Sequence, residues 1–146
     1  MRRVIVSGYF NPLHGGHLDM IEAAAKMGDY LLVIVNNDTQ AVLKKGKIIL
    51  DEDNRLRLIS ALRDVDEALL SVDTSDTSQV NTLMKVRQIY PHDELIFANG
   101  GDRSSTADIP ETAVCEQCGI QMVFGVGGVS KSDSSTRINQ ATGAQT

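Results

Sequence analysis

Short apolar runs alternate with helical stretches along most of the chain. The runs at residues 3–7, 30–35, 67–72, 94–98 and 121–124 predict five strands. The intervening stretches predict helices at residues 17–27, 39–43, 51–63, 79–90 and 111–118, with a final short helix at 134–140. This β–α alternation predicts an α/β fold in which a five-stranded parallel sheet carries helices on both faces, connected by right-handed crossovers.

The apolar positions also indicate which faces point inward. The second strand is apolar on both faces, as expected for a buried parallel strand. The first helix presents one apolar face made of Leu18, Ile21, Ala24 and Ala25. The third helix presents Leu56, Ile59 and Leu62. Gly28 ends the first helix, Pro91 stops the fourth and Pro110 stands at the start of the fifth.

The polar and glycine-bearing segments follow the predicted strands. They are residues 8–17, 36–47, 73–78, 99–106 and 125–136. In an open parallel sheet the ligand sits outside the carboxyl ends of the strands. We therefore expect these five segments to converge at one edge of the sheet.

Composition narrows the class of protein. The 146 residues suit one domain, which we place at residues 1–141, with a disordered tail at 142–146. The formal charge of −5 and the scarcity of aromatic residues argue against nucleic acid as the partner. Apolar runs are too short for a membrane span or a signal peptide, which favours a cytoplasmic protein without a membrane partner.

Candidate chemistry begins directly after the first strand, where His14 and His17 flank Gly15 and Gly16. A helix that begins here offers free N–H groups and a partial positive charge, and the glycines let a phosphate approach the backbone. The imidazoles can then donate hydrogen bonds to oxygens that gain charge during phosphoryl transfer. Ordinary loop histidines, or a histidine pair that binds metal, remain the alternatives.

Three further segments suit phosphate or nucleotide binding. The hydroxyls of residues 130–136 can cap a short helix and hold an anion, aided by Arg137, although a solvated serine-rich tail would look the same. Lys44 and Lys47 lie in a basic loop that either folds over phosphates or is a solvated surface. Residues 99–103 combine two glycines with Asp102, which suits a base or ribose but also an ordinary turn.

Two other patterns carry less weight. Residues 125–128 are glycine-rich but do not form the full dinucleotide-binding pattern of a first β–α unit, which argues against a Rossmann oxidoreductase. Cys115 and Cys118 form one Cys-x-x-Cys, too few ligands for structural zinc; a redox pair is possible, and two helix-borne cysteines packed toward the core are favoured. With no paired nucleophile and base among the motifs, a direct in-line displacement fits best.

Residues 8–17, read as Gly-Tyr-Phe-Asn-Pro-Leu-His-Gly-Gly-His, resemble the G-x-F-[DN]-x-x-H-x-G-H signature of the HxGH nucleotidyltransferase superfamily, in particular its small cytidylyltransferase-like group. The resemblance extends to the basic loop at 44–47, to the block from Arg55 to Asp66, to the Gly-Gly-Asp turn at 100–102 and to residues 134–137. It implies a Rossmann-like three-layer sandwich.

The resemblance also implies roles for individual residues. The expected catalytic residues are His14, His17, Lys44, Lys47 and Arg137. The expected nucleotide-binding residues are Gly8, Tyr9, Phe10, Asn11, Gly16, Gly101, Asp102, Arg103, Ser134, Ser135 and Thr136. The expected substrate-binding residues are Arg55, Arg63 and Asp38. Mg²⁺ would be held mainly by the triphosphate and water, so we expect no protein side chain as a metal ligand.

The activity implied is transfer of CMP or AMP from CTP or ATP to the phosphate of a small phosphorylated alcohol or sugar, with release of pyrophosphate. The scarcity of aromatic side chains makes a ring-bearing acceptor such as FMN, or phosphopantetheine, the weaker expectation. The resemblance also implies a homodimer. The alternative is a nucleotide-binding sensor or partner module that keeps the fold without catalysis.

Overall fold

The computed structural model describes residues 1–100 and 110–126. Within them lie five strands: β1 (Arg2–Gly8), β2 (Tyr30–Val35), β3 (Glu67–Leu70), β4 (Glu94–Gly100) and β5 (Ile120–Val126). Five helices alternate with these strands: α1 (Gly15–Ala25), α2 (Asp38–Lys45), α3 (Glu52–Ser60), α4 (Val80–Ile89) and α5 (Thr112–Cys118). The predicted helix at 134–140, the tail at 142–146 and residues 127–128 of the glycine-rich stretch lie outside the described residues.

The strands form one parallel sheet in the order β3-β2-β1-β4-β5. Successive residues of β1 alternate between the two faces: Val4 and Val6 join a core with α1 and α3, whereas Ile5 joins a core with α4 and α5. This is the predicted three-layer α/β arrangement. The chain leaves β1 toward β2 in one direction and returns to its other side at β4, so a topological switch point lies between β1 and β4.

The inward faces agree with the sequence pattern apart from one residue. Ile21 and Ala24 are buried and Ala25 packs against the core, but Leu18 is only half-buried. In α3, Ile59 is buried, and Leu56 and Leu62 pack against the same core.

Several element ends differ from the predictions because local hydrogen bonds decide them. The first helix begins at Gly15 rather than at residue 17, since His14 caps it. α2 continues to Lys45, where Gly46 ends it in the left-handed region at φ 70°. β3 ends at Leu70; the Ser71 amide still bonds to the Val35 carbonyl of β2, and the Val72 amide bonds to the Thr82 hydroxyl.

α3 is shorter than predicted and ends at Ser60. Tight turns follow it, in which the Leu62 amide bonds to the Ile59 carbonyl and the Val65 amide to the Leu62 carbonyl. The Asp66 amide then bonds to the Leu31 carbonyl near the start of β2. These turns return the chain to the amino-terminal edge of the sheet.

An aromatic ion cluster closes that amino-terminal edge. The Arg3 guanidinium lies 3.8 Å from the centre of the Tyr30 ring and 3.5 Å from that of Tyr90, and pairs with Asp93 at 2.8 Å. Both tyrosine hydroxyls donate to the Glu67 carboxylate. The hydrogen bond to Glu67, with burial, raises the pKa of Tyr90 to about 12. The cluster joins β1, β2, β3 and the end of α4.

This cluster predicts a loss of stability at alkaline pH. Because the pKa of Tyr90 is higher in the folded state, its stabilisation is complete below its ordinary value of 10.0 and is lost as pH rises toward about 12. Tyr90→Phe should cost about 1 kcal/mol at neutral pH and flatten this dependence. Chemical denaturation of both proteins across this range measures it, and parallel profiles would contradict the assignment.

Candidate active site

The histidine loop lies at the switch point of the sheet. It follows the carboxyl end of β1, spans residues 9–14 and leads into α1. Ligands of open α/β sheets bind at this position. The fold therefore places the strongest sequence motif where a ligand is expected.

His14 and His17 each use their Nδ1 nitrogen to accept a backbone hydrogen bond at the first turn of α1. The Gly16 amide donates to His14 Nδ1 at 3.1 Å, and the His14 amide donates to His17 Nδ1 at 3.3 Å. The two rings stack, with centroids 3.8 Å apart and planes 25° apart. A nitrogen that accepts an N–H bond carries no proton, so each neutral ring has its proton on Nε2. Both imidazoles are thereby set as Nε2–H donors.

Phe10 supports the histidines through an unusual backbone conformation. Its φ is 53°, in the left-handed region that non-glycine residues seldom adopt. The buried ring makes an edge contact with His17, with centroids 4.9 Å apart. It also lies over Gly8, where an added Cβ would sit 2.8 Å from Phe10 Cζ. The ring of Phe10 therefore leaves no room for a side chain at position 8, and glycine fits there.

Asn11 joins the histidine loop to the basic loop. Its Oδ1 accepts from the amides of Ile49 at 3.0 Å and Leu50 at 2.8 Å, and its Nδ2 donates to the Lys47 carbonyl at 3.4 Å. The residue is only 6% exposed. We expected Asn11 to bind nucleotide, but in this structure its amide group is occupied by backbone, so its side chain holds two loops together.

Arg55 is fully buried and ties several segments together. Its guanidinium donates to the carbonyls of Leu50 at 2.8 Å, Tyr9 at 2.8 Å and Asn36 at 2.6 Å. It also pairs with the Asp38 carboxylate at 2.7 Å, and its side chain is 0% exposed. The guanidinium is enclosed by protein, whereas the Asp38 carboxylate is 30% exposed; that these two residues bind substrate stays a prediction. Through its bonds Arg55 fixes the shape of the loops.

Arg63 lies away from the histidines. α3 starts beside Leu50 and runs toward the amino-terminal edge of the sheet, so Arg63 lies beyond its far end. Its side chain is exposed to solvent. The structure therefore does not bring Arg63 into the site with His14, as the sequence resemblance led us to expect.

The lysines of the basic loop do reach the histidine loop. Lys44 Nζ lies 5.6 Å from the centre of the Tyr9 ring, within the range of a cation–π contact. The Lys47 carbonyl accepts from Asn11, and both lysine side chains are exposed. Seven expected site residues lie outside the described residues: Gly101, Asp102, Arg103, Ser134, Ser135, Thr136 and Arg137.

A buried amide cluster beside the site was not predicted. Asn37 caps α2 and donates to the carbonyls of Ser71 at 3.0 Å and Asp73 at 2.7 Å. Gln40, which is 0% exposed, bonds to Asn36 and to the carbonyls of Asp76 and Ser78. The available signal was a run of polar residues, Asn36 to Asp38, directly after the apolar strand β2.

Other features carry no chemistry of this site. Cys115 is buried in the core and its thiol pKa is raised to about 12 by burial, so it is a poor nucleophile. A cleft of about 620 Å³ beside Gly28 and His92 lies at the opposite edge of the sheet.

Over residues 1–100 and 110–126, no group of three or more His, Cys, Asp or Glu side chains is arranged to hold a metal ion. No helix within these ranges has the length and apolar character to cross a membrane.

Removing Arg55 should destabilise the fold strongly. Arg55→Met leaves the Asp38 carboxylate and three carbonyls without their donor; because Asp38 is 30% exposed, we expect a loss near the lower end of the roughly 3 to 5 kcal/mol that breaking a fully buried ion pair costs. Arg63→Met, at an exposed arginine near the end of the same helix, should change stability by less than about 0.5 kcal/mol. Urea unfolding of both variants measures this, and equal losses would contradict the structural role of Arg55.

Comparison with known proteins places the chain among nucleotide-handling enzymes. It is 32% identical to a FAD synthase of Methanothrix thermoacetophila over 131 residues, which cover 84% of this chain and 91% of the relative. A FAD synthase of Ferroglobus placidus is 44% identical over 70 residues, and this match spans only 45% of the relative. The chain likewise spans about half the length of the relative from Methanosphaerula palustris, 48%.

Solved structures agree on the fold. A lipopolysaccharide core biosynthesis protein of Thermoplasma volcanium superposes with a TM-score of 0.66 and 33% identity over 91% of this chain and 99% of its own. A Vibrio parahaemolyticus protein described as a nicotinate-nucleotide adenylyltransferase superposes with a TM-score of 0.63 at 20% identity, over 99% of this chain and 90% of its own. The sequence profile of the Cytidylyltransferase-like family matches residues 5–139. With the histidine loop at the switch point of a 3-2-1-4-5 sheet, the chain belongs to the cytidylyltransferase-like family of HxGH nucleotidyltransferases.

Proposed function

We propose that this protein is an adenylyltransferase that transfers AMP from ATP to the phosphate of FMN, producing FAD and pyrophosphate. The observation that carries the transferase activity is the pair of stacked imidazoles at the start of α1, both set as Nε2–H donors. The FAD synthases that match most of this chain support the choice of substrates. FMN replaces the small phosphorylated alcohol or sugar that the sequence resemblance implied as the acceptor.

The proposed reaction is a single displacement. An oxygen of the FMN phosphate attacks the α-phosphorus of ATP, and a new P–O bond forms while the bond to the bridging α–β oxygen breaks. The electron pair of that broken bond leaves with pyrophosphate. Charge grows on the equatorial oxygens and on the leaving oxygen, where the Nε2–H groups of His14 and His17 donate hydrogen bonds.

The surrounding residues orient the reactants. The partial positive charge of the α1 N-terminus and the ammonium groups of Lys44 and Lys47 attract the phosphates. Mg²⁺, carried on the triphosphate oxygens, would neutralise part of their charge; we do not assign Asp38 to it, because Arg55 engages that carboxylate. Arg55 and Asn11 act as positioning residues that keep the lysine loop against the histidine loop.

The first test is pyrophosphate release with Mg²⁺. ATP and CTP are each combined with FMN, glycerol 3-phosphate and a sugar 1-phosphate; the last is included because the Thermoplasma volcanium relative is named for lipopolysaccharide core biosynthesis. We expect pyrophosphate release only from the pair of ATP and FMN. Release with CTP or with another acceptor would replace the substrates, and nucleotide binding without release from any pair would favour a binding module.

His17→Ala should separate catalysis from binding. Loss of one donor to the transition state should lower kcat by about 10² to 10³, while ATP affinity falls far less. His92→Ala is the matched control, since His92 is exposed at the opposite edge of the sheet. Steady-state kinetics gives kcat, and a binding titration with ATP gives the affinity. Equal losses of kcat and of ATP affinity would count against a catalytic role of His17.

A further inference from the structure

Four large aliphatic side chains stand exposed beside the histidine loop. Val42 and Leu43 in α2 are 50% and 54% exposed, and Ile48 and Ile49 in the following loop are 39% and 41% exposed. We refer to these four residues as the aliphatic patch. α2 turns Gln40 and Ala41 inward instead, so the patch residues are not needed to fill the core. The four residues lie within the segment 42–49, and contiguous exposed apolar surface commonly marks a binding site.

One end of the patch, at Ile49, is fixed to the candidate active site by hydrogen bonds. The amides of Ile49 and Leu50 donate to Asn11, which stands three residues before His14. Arg55 holds the carbonyls of Leu50 and Tyr9 on one guanidinium. The patch is therefore anchored to the loop that carries the imidazoles, on the side where Lys44 approaches Tyr9.

The charges of this segment indicate which kind of ligand would bind the patch. Lys44 and Lys47 interleave with the four aliphatic residues, in a chain whose formal charge is −5. A ligand with an apolar body and an anionic tail complements both features, whereas a glycerol or sugar phosphate would leave the aliphatic side chains exposed. A second copy of the chain fits less well, because the centres of protein interfaces are depleted of lysine.

We propose that the aliphatic patch is the seat of the acceptor's isoalloxazine ring, with the acceptor phosphate directed toward Lys44 and Lys47. This inference rests on the proposed function and adds the residues that recognise the flavin. The ring lies on aliphatic side chains, so the site does not depend on aromatic stacking. Leu43 and Ile49 contribute contact area, and the lysines contribute charge.

The test compares Leu43→Ser and Ile49→Ser with Ile89→Ser. Ile89 is 46% exposed at the end of α4, on the edge of the sheet away from the histidines, so it matches the patch residues in exposure. FAD formation gives KM for FMN and for ATP, and isothermal titration calorimetry gives FMN affinity without turnover. Each patch variant should raise KM and Kd for FMN by about tenfold, leave KM for ATP within about twofold, and keep its Tm; Ile89→Ser should change none of them.

The outcomes separate the seat from the reaction. If the unaltered protein forms FAD and the patch variants keep its KM for FMN, the seat is wrong while the proposed function stands. If the unaltered protein neither forms FAD nor binds FMN in the calorimeter, both proposals fail. Sedimentation of all variants tests the remaining occupant: a dimer that the patch variants convert to monomer, with FMN affinity unchanged, would reassign the patch to a contact between copies.

Discussion

The buried guanidinium of Arg55 is the constraint on which the site's geometry depends. It has no contact with solvent, and its donors are taken by three carbonyls and the Asp38 carboxylate. These acceptors belong to the ends of β1 and β2, the start of α2 and the loop before α3. A buried charge is tolerated only when it is paired and hydrogen-bonded. These four segments must therefore keep fixed positions relative to one another. In those positions the basic loop at residues 44–47 lies beside the histidine loop.

Much of the fold follows from local sequence. The alternation of apolar strands with amphipathic helices is enough for the parallel sheet and its two helical layers, because each apolar face must be covered. Element ends were harder to predict, since single hydrogen bonds decide them. Beyond β3 the Val72 amide bonds to the Thr82 hydroxyl, and tight turns after Ser60 shorten α3. The Val72–Thr82 bond spans ten residues, and the bonds after Ser60 join residues three apart, a spacing that suits a turn as well as a helix, so the apolar pattern alone does not give these ends.

For the site, the sequence indicates where the motif lies but not what each of its residues contacts. The histidine pair and its position were accessible from sequence, because strand, turn and helix start follow one another within a few residues. The roles of Asn11 and Arg55 were not, since a polar residue in a motif reads alike whether it faces a ligand or the protein's own backbone. Composition is similarly ambiguous about the acceptor. Counting aromatic residues disfavoured a ring-bearing acceptor, yet aliphatic side chains at a site's rim also offer apolar area to a flat ring.

The contact between Gly8 and Phe10 limits how this motif can vary among descendants of the chain. The ring occupies the space that any side chain at position 8 would need, and it is held there by a backbone conformation seldom adopted outside glycine. A larger residue at position 8 is tolerable only together with a smaller one at position 10, and either step alone disturbs the packing under His17. The two positions should thus covary as a pair, and a lineage that lost one partner would face a barrier to recovering the other.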